Sequence, residues 1–195
     1  MIKIEIKLPK PNIKDNKNLN ECIYHRKSVR NFQEQGIELV KISQILWAAQ
    51  GIKNNHRTIP SAGATYPLEL YLTYKKKGLF YFNFKKNILK QIIDIDISNI
   101  LAKSALNQMF IYNAPINIII CADYSRTCIR YGNRGFRYVH IEVGHCAQNI
   151  HLEAVALDLG SVPIGAFKDE EVKKILNLPE NLTPLYIISI GYPMK

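Results

Sequence analysis

Isoleucine and leucine occupy every second position at the start of the chain, with Ile2, Ile4, Ile6 and Leu8 separated by charged residues. A period of two predicts a short strand, ended by Pro9 and Pro11. After a polar linker over residues 12–18 the period lengthens. Residues 19–25 read as a short helix. Between 37 and 50, Leu39, Ile42, Ile45, Leu46 and Ala49 recur at helical spacing, with Gly51 as the stop. Residues 52–57 read as a polar loop. Alternation returns over 68–74 and again over 79–84, with a turn at 75–78, which predicts a hairpin. Residues 88–95 form another candidate strand. Ser98 is placed to cap a helix running from 99 to about 110. The apolar run at 115–122, interrupted only by Asn117, predicts a strand buried on both faces. Residues 184–192 predict a last strand.

The longest periodic stretch runs from Arg134 to Leu159 and is followed by Gly160. Val139, Val143, Cys146, Ile150, Ala154 and Leu157 form one face, while Ala147, Val155 and Ala156 widen it. A helix apolar on so many sides is expected at the centre of the fold. A further helix should open at Asp169, with Glu170 and Glu171 in its first turn.

Composition narrows the class. With 195 residues, 47% hydrophobic and 22% charged, the chain suits one soluble globular unit. We expect residues 1–18 to be a strand and linker and 19–195 a single domain. No apolar run approaches the ~20 residues of a membrane span. The alternating N-terminus is unlike a signal peptide, which makes the cytoplasm the expected location. A net charge of +10 raises nucleic acid as a partner. The lysines are scattered, however, and no nucleic-acid-binding module accompanies them, so a solvated basic surface is the simpler reading.

Four cysteines (Cys22, Cys121, Cys128, Cys146) lack a Cys-x-x-Cys pair and fit neither a disulfide framework nor a zinc site. Cys121 and Cys146 read as core fillers. His140, His145 and His151 lie five and six apart on the long helix, and ligands sharing a helical face need three or four. Glu142 and His145 do share a face and read as a satisfied polar pair. No metal is expected.

Three segments carry candidate chemistry. Arg26, Lys27, Ser28 and Arg30 follow the first short helix; guanidinium forks and a hydroxyl match phosphate oxygens. Such a cluster can equally be a helix-dipole partner on the surface. Pro60, Ser61, Ala62 and Gly63 open a stretch, Thr58 to Tyr71, with no bulky side chain between Pro60 and Thr65. There the backbone can approach a flat ligand closely. Pro163, Ile164, Gly165 and Ala166 form a turn between an apolar run and a helix.

Taken together and in this order, the three segments resemble the FMN-dependent nitroreductase superfamily, over about residues 22–192. Residues 60–69 look most like its SagB-type dehydrogenase branch. The resemblance implies an α+β, three-layer fold in which helices cover a mostly antiparallel sheet, and an intertwined homodimer. It implies that Arg26, Lys27, Ser28 and Arg30 hold the phosphate and ribityl chain of FMN, and that the Gly165 amide faces flavin N5 beside Pro163, Ile164 and Ala166. Pro60, Ser61, Ala62 and Gly63 would reach the flavin from the other subunit. Gln148 resembles a flavin-side position, and Gln108 a weaker one. Many relatives carry basic residues beyond the last strand; here Lys195 is the candidate substitute. Tyr66, Tyr131 and Phe167 are candidates for the substrate space by position. The implied reaction passes hydride through flavin N5 between NADH or NADPH and a small organic acceptor, with no protein nucleophile. Oxidation of azoline rings in peptides, with a cyclodehydratase partner, is the alternative. A non-catalytic flavin sensor or a nucleic-acid-binding module are alternatives of other classes.

Overall fold

A computed structural model describes residues 4–14, 17–53 and 56–194. In chain order β1 (Glu5–Lys7) precedes α1 (Leu19–His25) and α2 (Leu39–Gln50), then the paired two-residue strands β2 (Ile52–Lys53) and β3 (His56–Arg57). A 3-10 turn at Ala62–Ala64 leads to β4 (Leu68–Tyr74), β5 (Gly78–Asn83) and β6 (Ile88–Ile93). The helices α3 (Ser98–Ser104) and α4 (Phe110–Asn113) come next, followed by β7 (Ile116–Ala122), α5 (Tyr124–Tyr131) and α6 (Arg134–Ala156). β8 (Gly160–Ile164), α7 (Asp169–Ile175) and β9 (Thr183–Gly191) complete the fold.

Seven strands form one sheet in the order β1-β6-β5-β4-β7-β9-β8, and every neighbouring pair is antiparallel. β7 lies inside the sheet, paired with β4 on one side and β9 on the other, and all seven of its residues are buried. Alternation along the strand distributes those residues between two cores. Ile116, Ile118, Ile120 and Ala122 pack in the core that includes Ile42, Ile45 and Leu46 of α2 and Val139, Cys146 and Ile150 of α6. Ile119 and Cys121 pack with Leu101 of α3, Ile111 of α4 and Val172 of α7. The expected three layers are therefore present. The polar break in the run, Asn117, is satisfied internally. Its amide donates to Thr73 Oγ1 (2.9 Å) and the Ile111 carbonyl (3.0 Å) and accepts from the Ser189 hydroxyl (2.5 Å).

Several boundaries differ from the sequence pattern. The helix expected over 99–110 is broken, because Leu106 and Asn107 take left-handed backbone angles (φ 56° and 58°). Ser98 lies within α3 instead of capping it, and the Asp96 carboxylate accepts from both its amide and its hydroxyl. The long helix ends at Ala156, with Asp158 left-handed at φ 62°, so Gly160 is not its stop. Gly160 instead begins β8, where a Cβ would come within 2.7 Å of the Val29 side chain. Gly51 does end α2, but at an ordinary φ of −65°; a Cβ there would collide with the Trp47 ring at 2.2 Å. Trp47 itself is half-buried. Helix α5 and the β2–β3 pair were not expected from the pattern. The expected strand at the N-terminus is described only from Ile4, Ile2 lying outside the described residues. Among the described residues no helix is long and apolar enough to cross a membrane.

Candidate functional site

The first chemical segment begins where α1 ends. Asn18 and Glu21 form a reciprocal capping box at the start of that helix, and the Arg26 amide closes its last turn on the Cys22 carbonyl (3.1 Å). The chain then turns extended. Ser28 pairs in parallel with Ser161 at the start of β8, and the Val29 amide bonds the Ser161 carbonyl (3.0 Å). The absence of a side chain at Gly160 permits this approach. Arg26 is thereby held half-buried, with Lys27, Ser28 and Arg30 exposed beside it. The Arg30 guanidinium lies over the Phe110 ring, 5.8 Å from its centroid.

The same strand carries the third segment, Pro163 to Ala166, two residues beyond Ser161. Sequence-distant segments one and three thus share one sheet edge. Gly165 and Ala166 are exposed, and a Cβ at Gly165 would meet only the Tyr186 ring at 3.7 Å. The turn is tied down from the other helical layer: Gln108 Nε2 donates to the Ala166 carbonyl (3.1 Å), and the Lys168 amide to the Ser104 carbonyl (3.0 Å). Gln108 therefore braces the turn from the α3–α4 connection.

Beneath the first segment lies His151 of α6, buried, with its Nδ1 2.7 Å from the Ser161 hydroxyl. Burial, and then the Arg26 charge, push its pKa down to about 4, so the ring is neutral at pH 7.

The second segment lies elsewhere along α6. Gly63, Ala64 and Tyr66 all take left-handed angles (φ 57°, 55° and 46°), which for alanine and tyrosine carries strain. Side chains from α5 hold the loop in that shape. Arg130 donates to the Gly63 carbonyl (3.2 Å), Arg126 to the Tyr66 carbonyl (3.1 Å), and Thr65 and Thr127 hydroxyls bond at 2.8 Å. The Ser61 hydroxyl accepts from the Tyr66 amide (2.9 Å). At Gly63 a Cβ would fall 2.6 Å from the Tyr131 hydroxyl, a second reason for glycine.

Pro60, Ser61 and Ala62 roof a hollow of about 260 Å³ against Tyr138, Ile141, Glu142 and His145 of α6. Glu142 and His145 are not the satisfied pair that their spacing suggested. Glu142 is only 2% exposed and its Oε1 has no hydrogen-bond partner, while His145 is exposed. Burial raises the Glu142 pKa to about 7, against the opposing pull of the Ser61 hydrogen bond and the Arg57 charge. Arg57 is itself sandwiched, 3.4 Å from the Phe84 ring centroid and 4.8 Å from that of Tyr66.

Gln148 is exposed on α6 between the levels of Glu142 and His151. Tyr66 and Tyr131 border the second segment, whereas Phe167 packs against the core below α7. Lys195 lies outside the described residues. Among the described residues no three His, Cys, Asp or Glu side chains gather as a metal site. Sequence reasoning missed the burial of Glu142 and the loop-holding roles of Arg57, Arg126, Thr127 and Arg130. Helix α5 is short and largely polar, and its one sequence signal is the helical spacing of Tyr124, Cys128 and Tyr131.

Residues 23–192 of this three-layer α+β fold match the nitroreductase family. The chain belongs to that family. It is 43% identical over 195 residues, covering 96% of both chains, to a protein of Methanocaldococcus jannaschii provisionally named a nitroreductase. It is 29% identical over 111 residues to the NADPH-flavin oxidoreductase of Vibrio harveyi, spanning 53% of this chain and 46% of that one. The solved structure of a provisionally named nitroreductase from Ralstonia eutropha superposes with a TM-score of 0.88 at 23% identity, covering 98% of this chain and 90% of that chain.

Proposed function

We propose that the protein is an FMN-dependent oxidoreductase of the cytoplasm, carried by residues 19–195, that moves hydride between NADH or NADPH and a small organic acceptor. The observation that carries this reading is the parallel junction of Ser28 with Ser161. It sets the Arg26–Arg30 cations and the Gly165–Ala166 turn along one edge, as a ligand with a phosphate at one end and a flat ring at the other requires. When bound, FMN supplies hydride transfer. The chain's own residues bind and orient it: Arg26, Lys27, Ser28 and Arg30 neutralise and bond the phosphate. Pro163, Ile164, Gly165 and Ala166 present backbone to the ring, and Gln108 fixes the Ala166 carbonyl. No Gly-x-Gly-x-x-Gly turn follows a strand, which favours FMN over FAD. The flavin in the name of the Vibrio harveyi relative supports a flavin cofactor.

The function is assigned to a homodimer. Pro60 to Ala62 sits over Glu142, and the cradle sits over His151, nine residues on, which is about 13 Å at 1.5 Å per residue. One copy thus spreads its two walls along α6, and Ile141, which lines the hollow at the first of them, is 49% exposed. Pro60, Ser61, Ala62 and Gly63 then wall the partner's flavin, and Gln148 faces the shared interval.

The test is the visible spectrum of the pure protein before and after anaerobic NADH or NADPH, with the cofactor released by denaturation and identified by mass. Bound FMN that bleaches on reduction supports the reading; FAD or no flavin refutes it. FMN that neither nucleotide reduces points to a sensor, or to the SagB-type reaction if azoline peptides bleach it. Light scattering that shows a flavin-loaded monomer contradicts the shared site.

A further inference from the structure

Glu142 is unused by the reading above. It is buried in the middle of α6, and one carboxyl oxygen is without a partner although the side chain lines a hollow open to a ligand. Leaving a buried oxygen unpaired costs about 1–3 kcal/mol, so such a group ordinarily has a partner at some stage of function. Arg57 from β3 faces it, as does the Ser61 hydroxyl from the loop; on α6 its surroundings are Tyr138, His145 and the buried Cys146. Arg57 is engaged by Gln50 Oε1 (2.5 Å) and by the Phe84 and Tyr66 rings, so it does not close on the free oxygen.

We propose that Glu142 is a ligand-facing hydrogen-bond donor of the flavin site: protonated at Oε1, it donates to a carbonyl or ring-nitrogen acceptor on the edge of the bound heterocycle. This rests on the FMN reading and adds a residue and a proton to it. The proton comes from solvent onto the carboxylate; no covalent bond in the ligand breaks. A carboxyl with a pKa near 7 is half ionised in the empty site at neutral pH, so binding above that pH takes up one proton.

The experiment measures FMN affinity of the full-length apo-protein by fluorescence quenching from pH 7 to 9. The ester phosphate, with its second pKa near 6, is already doubly ionised throughout this range. Wild-type affinity should fall by up to about tenfold per pH unit above 7. Glu142→Gln keeps an amide donor that does not titrate, so its affinity should be nearly flat with pH. Ser61→Ala removes a bond that lowers the Glu142 pKa, so its break should move to higher pH. It also keeps the test open if the glutamine variant fails to fold. A flat wild-type profile, an equal slope in Glu142→Gln, or an unmoved break in Ser61→Ala overturns this proposal alone. Failure of wild type to bind FMN at any pH overturns the function assignment and this proposal with it.

Discussion

Replacing Arg26 by alanine separates a phosphate ligand from a surface cation. The backbone there is held by its amide bond to Cys22 and by the pairing of Ser28 and Val29 with Ser161, none of which uses the side chain. The substitution should therefore leave the cradle's path intact. What is lost is one half-buried guanidinium beside the phosphate position. Charge-assisted hydrogen bonds contribute about 1.5–3 kcal/mol each, and 1.4 kcal/mol is tenfold in affinity, so FMN should bind at least ~10-fold more weakly. Arg26→Lys should recover only part of this, because an ammonium lacks the planar fork. A surface arginine serving the dipole of α1 would instead change stability by a few tenths of a kcal/mol and leave flavin untouched. Titration of apo-protein by flavin fluorescence decides between them. A second readout follows from His151, whose pKa is depressed first by burial and then by the Arg26 charge. In Arg26→Ala the His151 pKa should rise, measurable by NMR titration. Wild-type FMN affinity in Arg26→Ala would remove the phosphate role.

Three further outcomes follow from the packing. Gly160→Ala pushes a methyl to within 2.7 Å of Val29 and should destabilise by about 1–3 kcal/mol in urea unfolding, partly relieved by Val29→Ala in the same chain. Asn117→Ala removes the buried partner of the Thr73 and Ser189 hydroxyls in the sheet and of the Ile111 carbonyl on α4, at about 1–3 kcal/mol for each group left unpaired. The folded His151 binds its proton less readily than the unfolded ring, with pKa about 4 against 6.5, so the unfolded state holds more protons between those values. Stability should accordingly fall as pH drops from 6.5 towards 4, by about 3 kcal/mol in total, and His151→Gln should flatten that limb of the pH–stability curve.

Much of the fold is written in local periods. The 2-residue alternation placed the strand Leu68–Tyr74 at its observed bounds, and the apolar run at 115–122 placed Ile116–Ala122 to within one residue. The helical spacing over 37–50 and 134–159 placed the two helices of one layer, which run Leu39–Gln50 and Arg134–Ala156. The candidate segments were legible too, because Gly, Pro and clustered Arg are unusual enough in order and spacing to mark the family. Helix ends were less so. Leu106, Asn107 and Asp158 end or interrupt helices by left-handed angles that their side chains do not advertise, whereas Gly160, which looked like a stop, is there for Val29.

The sequence by itself determined the main strands, the two long helices and the side chains available at Arg26–Arg30, Pro60–Gly63 and Pro163–Ala166, because periodicity and side-chain type are local properties. The tertiary structure alone decided which of these meet. Ser28 joins Ser161 across more than 130 residues of chain, and the Gly63 carbonyl is held by Arg130 of the short helix α5. It also decided how Glu142 and His151 titrate, since both shifts arise first from burial, and burial is a property of the assembled layers rather than of any stretch of chain.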